Sequence, residues 1–217
     1  MGGEEEKKGD EEKKPSPYTL SKEQIAEIPL GGFRGRITVA YTPQKADEAA
    51  SFLSRYHFLG FDTETKPVFK KGQKQNPIAL IQLSTERHAF LFRVSETGMT
   101  PALKEILESP KIRKIGQAMK HELVTMKKEL KVEGRGFIDL LDIAHRLECE
   151  PKSVKGMAAI FLGIRISKSM QVTNWERRVL SDKQKRYAAT DAWACLAIYD
   201  EIRKRKLVEN PEKTRHR

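Results

Sequence analysis

Cysteine is nearly absent from this chain of 217 residues: only Cys149 and Cys195 occur, in neither a CxxC pair nor a zinc-ligand spacing. A disulfide framework and a structural zinc site are thereby excluded, and two reduced, buried thiols are expected. Long apolar runs are missing too, since no stretch approaches the roughly 18 consecutive apolar residues of a membrane span. The first residues are rich in Glu and Lys rather than forming an apolar leader, which points to a soluble, intracellular protein, cytoplasmic or associated with the nucleoid, with no membrane partner. Neither an internal repeat nor a Ser, Thr or His grouping suited to a nucleophile triad is visible, so a covalent mechanism is disfavoured.

What the chain has in excess is positive charge. The formal net charge is +11, and because residues 1–16 carry six acidic and four basic side chains, the remainder carries +13. Such an excess favours polyanions, nucleic acid first among them, although charge alone identifies no partner. Residues 1–16 have almost no apolar side chains and cannot offset the entropy lost on ordering, so they read as a disordered tail. A polar stretch at 209–217 reads as a second tail, leaving one folded domain at 20–208. An apolar content of 38% is enough to build its core.

Within that domain the hydrophobic pattern predicts strands over 33–41, 58–64, 78–83, 88–92 and 113–116, and helices over 43–56, 101–107, 119–130, 138–148 and 153–162. Ser181, followed three residues later by Gln184, is a capping-box pattern ahead of a long helix ending near residue 206. On it Ala188, Ala192, Cys195, Tyr199 and Ile202 form a stripe to be buried, with Tyr187 and Asp191 about 100° away along its edge. Strands first and helices later give an α/β fold with a mixed sheet flanked by helices.

Two short motifs carry chemistry. Asp62 and Glu64 follow the apolar run Leu59-Gly60-Phe61, and alternation along a strand sends both to the same side of the sheet. Tyr187 and Asp191 stand four apart, hence on one helical face. Carboxylates gathered at a buried strand end repel one another and lose hydration, a cost that a hard, oxygen-preferring cation such as magnesium relieves. Taken singly, each motif also fits solvated carboxylates or a tyrosine at a core edge.

Taken together, Phe61-Asp62-Thr63-Glu64-Thr65 and Tyr187-Ala188-Ala189-Thr190-Asp191-Ala192-Trp193 resemble the DEDD superfamily of 3′→5′ exonucleases, in its tyrosine-bearing branch of the ribonuclease D and Werner-exonuclease kind. The resemblance covers roughly residues 33–206. It implies a ribonuclease H-like fold with a sheet of five to six strands, and hydrolysis of phosphodiester bonds with two Mg²⁺ or Mn²⁺ ions. Asp62 would bridge both ions, Glu64 and Asp191 would complete the site, and Tyr187 would orient the attacking water. The family's second motif, a Gly followed six residues later by Asp, reads Gly116 and Glu122 here. The longer side chain shifts the carboxylate by about 1 Å, a displacement that can cost on the order of 100-fold in rate, unless Glu122 reaches its ion through water. His121 beside it is expected to face solvent.

Thr63 and Thr65 within the first motif, and Lys66, Lys70 and Lys71 after it, are the candidate contacts to a polynucleotide, with single-stranded or frayed 3′ ends of DNA or RNA as the implied substrate. Trp175 is expected to pack rather than to stack on a base. Two functions stay open: a metal-dependent 3′→5′ exonuclease releasing nucleoside monophosphates, or a catalytically weak or inactive nucleic-acid-binding module on the same fold.

Overall fold

Short runs of Val, Ile, Leu and Phe, each too brief for a helix and bounded by turn residues, become the strands, and longer Ala-rich amphipathic runs become the helices that cover them. The computed structural model describes residues 16–70, 72–167 and 169–208. The tails expected at 1–16 and 209–217 lie outside these residues, apart from Ser16, whose hydroxyl donates to the Leu147 carbonyl at 3.1 Å. In chain order the elements are α1 (Lys22–Glu27), β1 (Arg36–Ala40), α2 (Pro43–Leu53), β2 (Phe58–Thr65), β3 (Ile78–Ser84), β4 (His88–Phe92) and α3 (Val94–Thr97). They continue as α4 (Pro101–Glu108), β5 (Arg113–Gly116), α5 (Met119–Thr125), β6 (Phe137–Asp139), α6 (Leu140–Arg146), α7 (Val154–Leu162) and α8 (Asp182–Lys204).

The strands form one six-stranded sheet in the order β1-β4-β3-β2-β5-β6. β1 pairs parallel to β4, β3 runs antiparallel to both of its neighbours, and β2, β5 and β6 are mutually parallel. This is the mixed α/β sheet expected from the sequence. Leu59 and Phe61 of β2 point into a core built with Ala46, Ala49 and Leu53 of α2 and Leu103 and Leu107 of α4. A second core joins Ile115 of β5 to Leu140, Met157, Phe161, Ile198 and Ile202 beneath α6, α7 and α8. Each large apolar side chain so buried contributes about 1.5–3 kcal/mol. Cys149 and Cys195 are both unbridged and buried, as expected.

The elements differ from the sequence expectation in instructive places. The helix expected over 138–148 begins only at Leu140, because Phe137–Asp139 pairs with β5 as a strand. Asp139 sets the boundary: its carboxylate accepts from the Leu141 amide at 2.9 Å as the helix cap and from the amides of Ala118 and Met119 at 2.8 and 2.7 Å. The helix expected over 119–130 is α-helical only to Thr125 and widens into a π turn over Met126–Leu130. α1, with its own capping box between Ser21 and Gln24, has no counterpart among the expected helices.

α8 is placed by three devices. Ser181 and Gln184 form the capping box at its start, and the Gln184 amide also donates to Thr173 Oγ1 and to the Asn174 carbonyl, at 3.2 and 3.1 Å. Buried Arg93, at the end of β4, donates to the carbonyls of Arg177 and Arg178 at 2.6 and 2.8 Å and so anchors the segment leading into the helix. The third device is Gly60: a Cβ there would collide with the Ala192 carbonyl, so only glycine lets α8 lie this close against β2. Gly60→Ala is therefore expected to lower the melting midpoint by about 3–10 °C, from about 1–3 kcal/mol of overpacking. Thermal denaturation checks this, and an unchanged midpoint would show that the close approach is not needed.

Candidate metal and active site

β2 and α8 meet where their acids lie. Asp62 and Glu64 occupy alternate positions on the β2 face that Gly60 opens to α8, and Asp191 sits in the turn of α8 that crosses it. One carboxylate oxygen from each of the three lies within 4.8 Å of the others, and all three residues are half-buried. The Oδ1 atom of Asp191 is buried without a hydrogen-bond partner. An all-oxygen donor set, partly dehydrated and with an unsatisfied lone pair, suits a hard divalent cation, and the residues present fit that group.

The charges are correspondingly perturbed. Burial, and then the neighbouring Asp191, hold the Asp62 carboxyl well above its ordinary range. Burial and then Asp62 push Glu64 up to about 10. Asp191 rises only to about 6, because Lys155 and a hydrogen bond from Tyr187 oppose the effect of burial. The Tyr187 hydroxyl is itself raised, by burial first and then by Asp191, so it stays a phenol and donates rather than ionising.

Lys155 was not anticipated from the sequence. It stands in the first turn of α7, with Nζ 3.4 Å from the Tyr187 hydroxyl and 5.1 Å from the centre of its ring. Gln117 sets the start of that helix: its amide donates to the Lys152 carbonyl, and its oxygen accepts from the Val154 amide at 2.7 Å. The cavity at the carboxylates, about 390 Å³, is lined by Gln117, Lys155 and Gln171 in addition to the acids and Tyr187. A lone Lys following Val carries no signal in a sequence, and nothing local could have singled it out.

The other expected residues are distributed as follows. Glu122 lies on α5, half-buried and apart from the cluster of three, where it accepts a 2.7 Å hydrogen bond from the Thr63 hydroxyl. Thr63 is thus occupied with Glu122, on the opposite pleat from Asp62 and Glu64. Thr65 follows a register irregularity at the end of β2. Lys66 pairs with Glu176 at 3.1 Å, Lys70 is exposed, and Lys71 lies outside the described residues. Beside Lys70, Phe69 is 80% exposed and offers an aromatic face to solvent. His121 is exposed and Trp175 is fully buried against the Tyr187 ring, both as expected.

These shifts fix the sign of a pH effect. A carboxyl whose folded pKa is raised contributes stability below its ordinary range and loses that contribution as pH rises through the folded value. For the metal-free protein this loss spans about pH 4 to 10. A divalent cation removes the penalty, so the rise in melting temperature caused by Mg²⁺ or Mn²⁺ is expected to be larger at pH 8.5 than at pH 6. In the presence of a chelator, Glu64→Gln is expected to melt above the parent protein at pH 8.5. An equal metal effect at both pH values would count against a shared carboxylate site.

Residues 37–206 match a family model described as 3′-5′ exonuclease. A relative from Mus musculus, the bifunctional 3′-5′ exonuclease/ATP-dependent helicase WRN, is 32% identical over an alignment of 185 residues that covers 81% of this chain and 13% of that protein. Among solved structures, the Nibbler EXO domain from Aedes aegypti superposes with a TM-score of 0.74 at 24% identity, covering 85% of this chain and 97% of that one. The Trypanosoma brucei RNase D complex with RNA U12 superposes with a TM-score of 0.66 at 21% identity, covering 88% and 66%. The shared architecture is the ribonuclease H-like exonuclease fold. The chain thus spans only a small part of the mouse relative's length.

Proposed function

The chain belongs to the 3′-5′ exonuclease family, and from that premise we propose that it hydrolyses the terminal phosphodiester bond at the 3′ end of a polynucleotide, releasing nucleoside monophosphates. The observation that carries this reading is the convergence of Asp62, Glu64 and Asp191 within 4.8 Å.

Asp62, Glu64 and Asp191 would hold two divalent cations, Mg²⁺ or Mn²⁺, with Glu122 contributing through water. Such ions supply a lowered pKa for water and charge neutralisation at the phosphate. Tyr187 orients the attacking water through its hydroxyl, which Lys155 contacts at 3.4 Å and a hydrogen bond ties to Asp191. It does not act as the base, because its raised pKa leaves it protonated. Lys70 and Phe69, exposed in the loop after β2, offer a charge and an aromatic face to a strand end. A cavity of this size admits a single unpaired terminus more readily than a duplex, which supports single-stranded or frayed ends as substrate.

Release of mononucleotides from a 3′-labelled oligomer is the direct assay. Asp62→Asn and Asp191→Asn are each expected to cut the rate by on the order of 100-fold or more, and Tyr187→Phe by about 10- to 100-fold with little change in KM. Unaltered rates in the two Asp variants would refute the assignment.

One observation favours a second reading, a binding module with little turnover: Glu122 is engaged by Thr63 instead of joining the three acids. The variant Glu122→Asp separates the readings. Retained activity in the parent, changed less than about tenfold in Glu122→Asp, fits the exonuclease. A parent that binds oligomers without cleaving them, and gains cleavage with Glu122→Asp, fits the module.

A further inference from the structure

Tyr187 belongs to two cavities. On one side it faces the carboxylates, and on the other it forms a wall of a second cavity of about 590 Å³, between the chain segment before β1, the segment around residue 167 and the first turns of α8. That volume lies in the range of small-ligand sites. The floor is apolar: Phe33 and Ile166 are buried there, and Met170 lies beside them. The rim is cationic, with Arg34, Lys183 and Arg186 all exposed.

None of these three side chains has an ion-pair or hydrogen-bond partner among the described residues. Among the described residues the single acid on the rim, Asp182, is paired with Lys185 at 3.1 Å. The polar wall residue Thr190 is also occupied, accepting from the Phe33 amide and donating to the Arg186 carbonyl. What the cavity leaves for a ligand is an apolar floor and three cations. Helical geometry explains the adjacency: Lys183 and Thr190 fall about 40–60° to one side of Tyr187 around α8, and Asp191 about 40° to the other.

We propose that this second cavity is a subsite for the segment of the substrate strand on the 5′ side of the scissile phosphate. A base rests on Phe33, Ile166 and Met170, and the flanking phosphates lie on Arg34, Lys183 and Arg186. The inference rests on the exonuclease reading and adds a location to it. A polynucleotide carries the matching chemistry, apolar base faces repeated between anionic phosphates. Tyr187 makes the two cavities neighbours, so a strand whose 3′ end reaches the carboxylates can continue over this helix edge. A free mononucleotide offers the same chemistry once only, so the dependence of affinity on strand length separates the two.

The experiment measures fluorescence anisotropy of 5′-labelled single-stranded dinucleotide and octanucleotide on the full chain in a chelator, over a range of salt concentrations. The double variant Arg34→Ala/Arg186→Ala is compared with the charge-matched Lys111→Ala/Lys128→Ala, and melting curves confirm that both fold. For the parent, the octanucleotide is expected to bind more tightly than the dinucleotide. In the Arg34/Arg186 variant, octanucleotide affinity should drop about tenfold and the log-log salt slope should flatten by about 1.4, at about 0.7 for each phosphate no longer neutralised, while the control matches the parent. Equal losses in the control, or no loss in the Arg34/Arg186 variant, would overturn the subsite. So would adenosine monophosphate binding as tightly as the octanucleotide with the same dependence on Arg34 and Arg186.

Cleavage of the same octanucleotide by the parent with Mg²⁺ is run alongside. If it is cleaved while the salt slope ignores Arg34 and Arg186, the subsite falls and the exonuclease reading stands. If it is neither bound nor cleaved, both fall.

Discussion

Mutual repulsion among three carboxylates is the constraint around which the rest of this fold is arranged. At 4.8 Å and an effective dielectric of about 20, each ionised pair costs on the order of 3 kcal/mol, comparable to the burial of a large apolar side chain. Burial first, and this repulsion second, raise the pKa values of Asp62 and Glu64, so the metal-free protein meets both costs by holding protons. A divalent cation relieves the same repulsion without protons, so ion binding and acidity are two answers to one crowding. Lys155 is a partial third answer built into the chain, since its ammonium favours the charged form of each of the three acids.

Crowding of this kind persists only if the elements that impose it cannot spread apart. β2 is held at the centre of the sheet between β3 and β5, and α8 is pressed against it where Gly60 meets the Ala192 carbonyl. Arg93 and Trp175 secure the segment that leads into α8, Trp175 by packing against the Tyr187 ring, and so fix where the helix starts. The two hydrophobic cores on either side of the sheet supply the stability that the site itself consumes. A site strained by charge is thus supported by apolar packing elsewhere in the fold.

Much of this was legible in the sequence because the spacing of the acids equals the period of the element that carries them. Asp62 with Glu64, and Tyr187 with Asp191, needed only a strand and a helix to converge, and the capping box at Ser181 and Gln184 marked the helix start. Glu122 was readable by its distance from Gly116, yet its hydrogen bond to Thr63 was not, since that pairing depends on how α5 lies across β2. Lys155 and Asp139 were invisible for the same reason: each acts on partners remote in the chain, Tyr187 in one case and the Ala118 and Met119 amides in the other. β6 was lost because three strand residues running directly into a helix show no period of their own. The cavity bounded by Phe33, Met170 and Arg186 comes from irregular segments meeting α8, an arrangement no local pattern encodes.

The carboxylate site is tested most directly by anomalous scattering from crystals of the protein grown with Mn²⁺. Two peaks about 3.5–4 Å apart, bounded by the carboxylates of Asp62, Glu64 and Asp191, are expected. Anomalous density elsewhere, or none among these three side chains at saturating Mn²⁺, would contradict it.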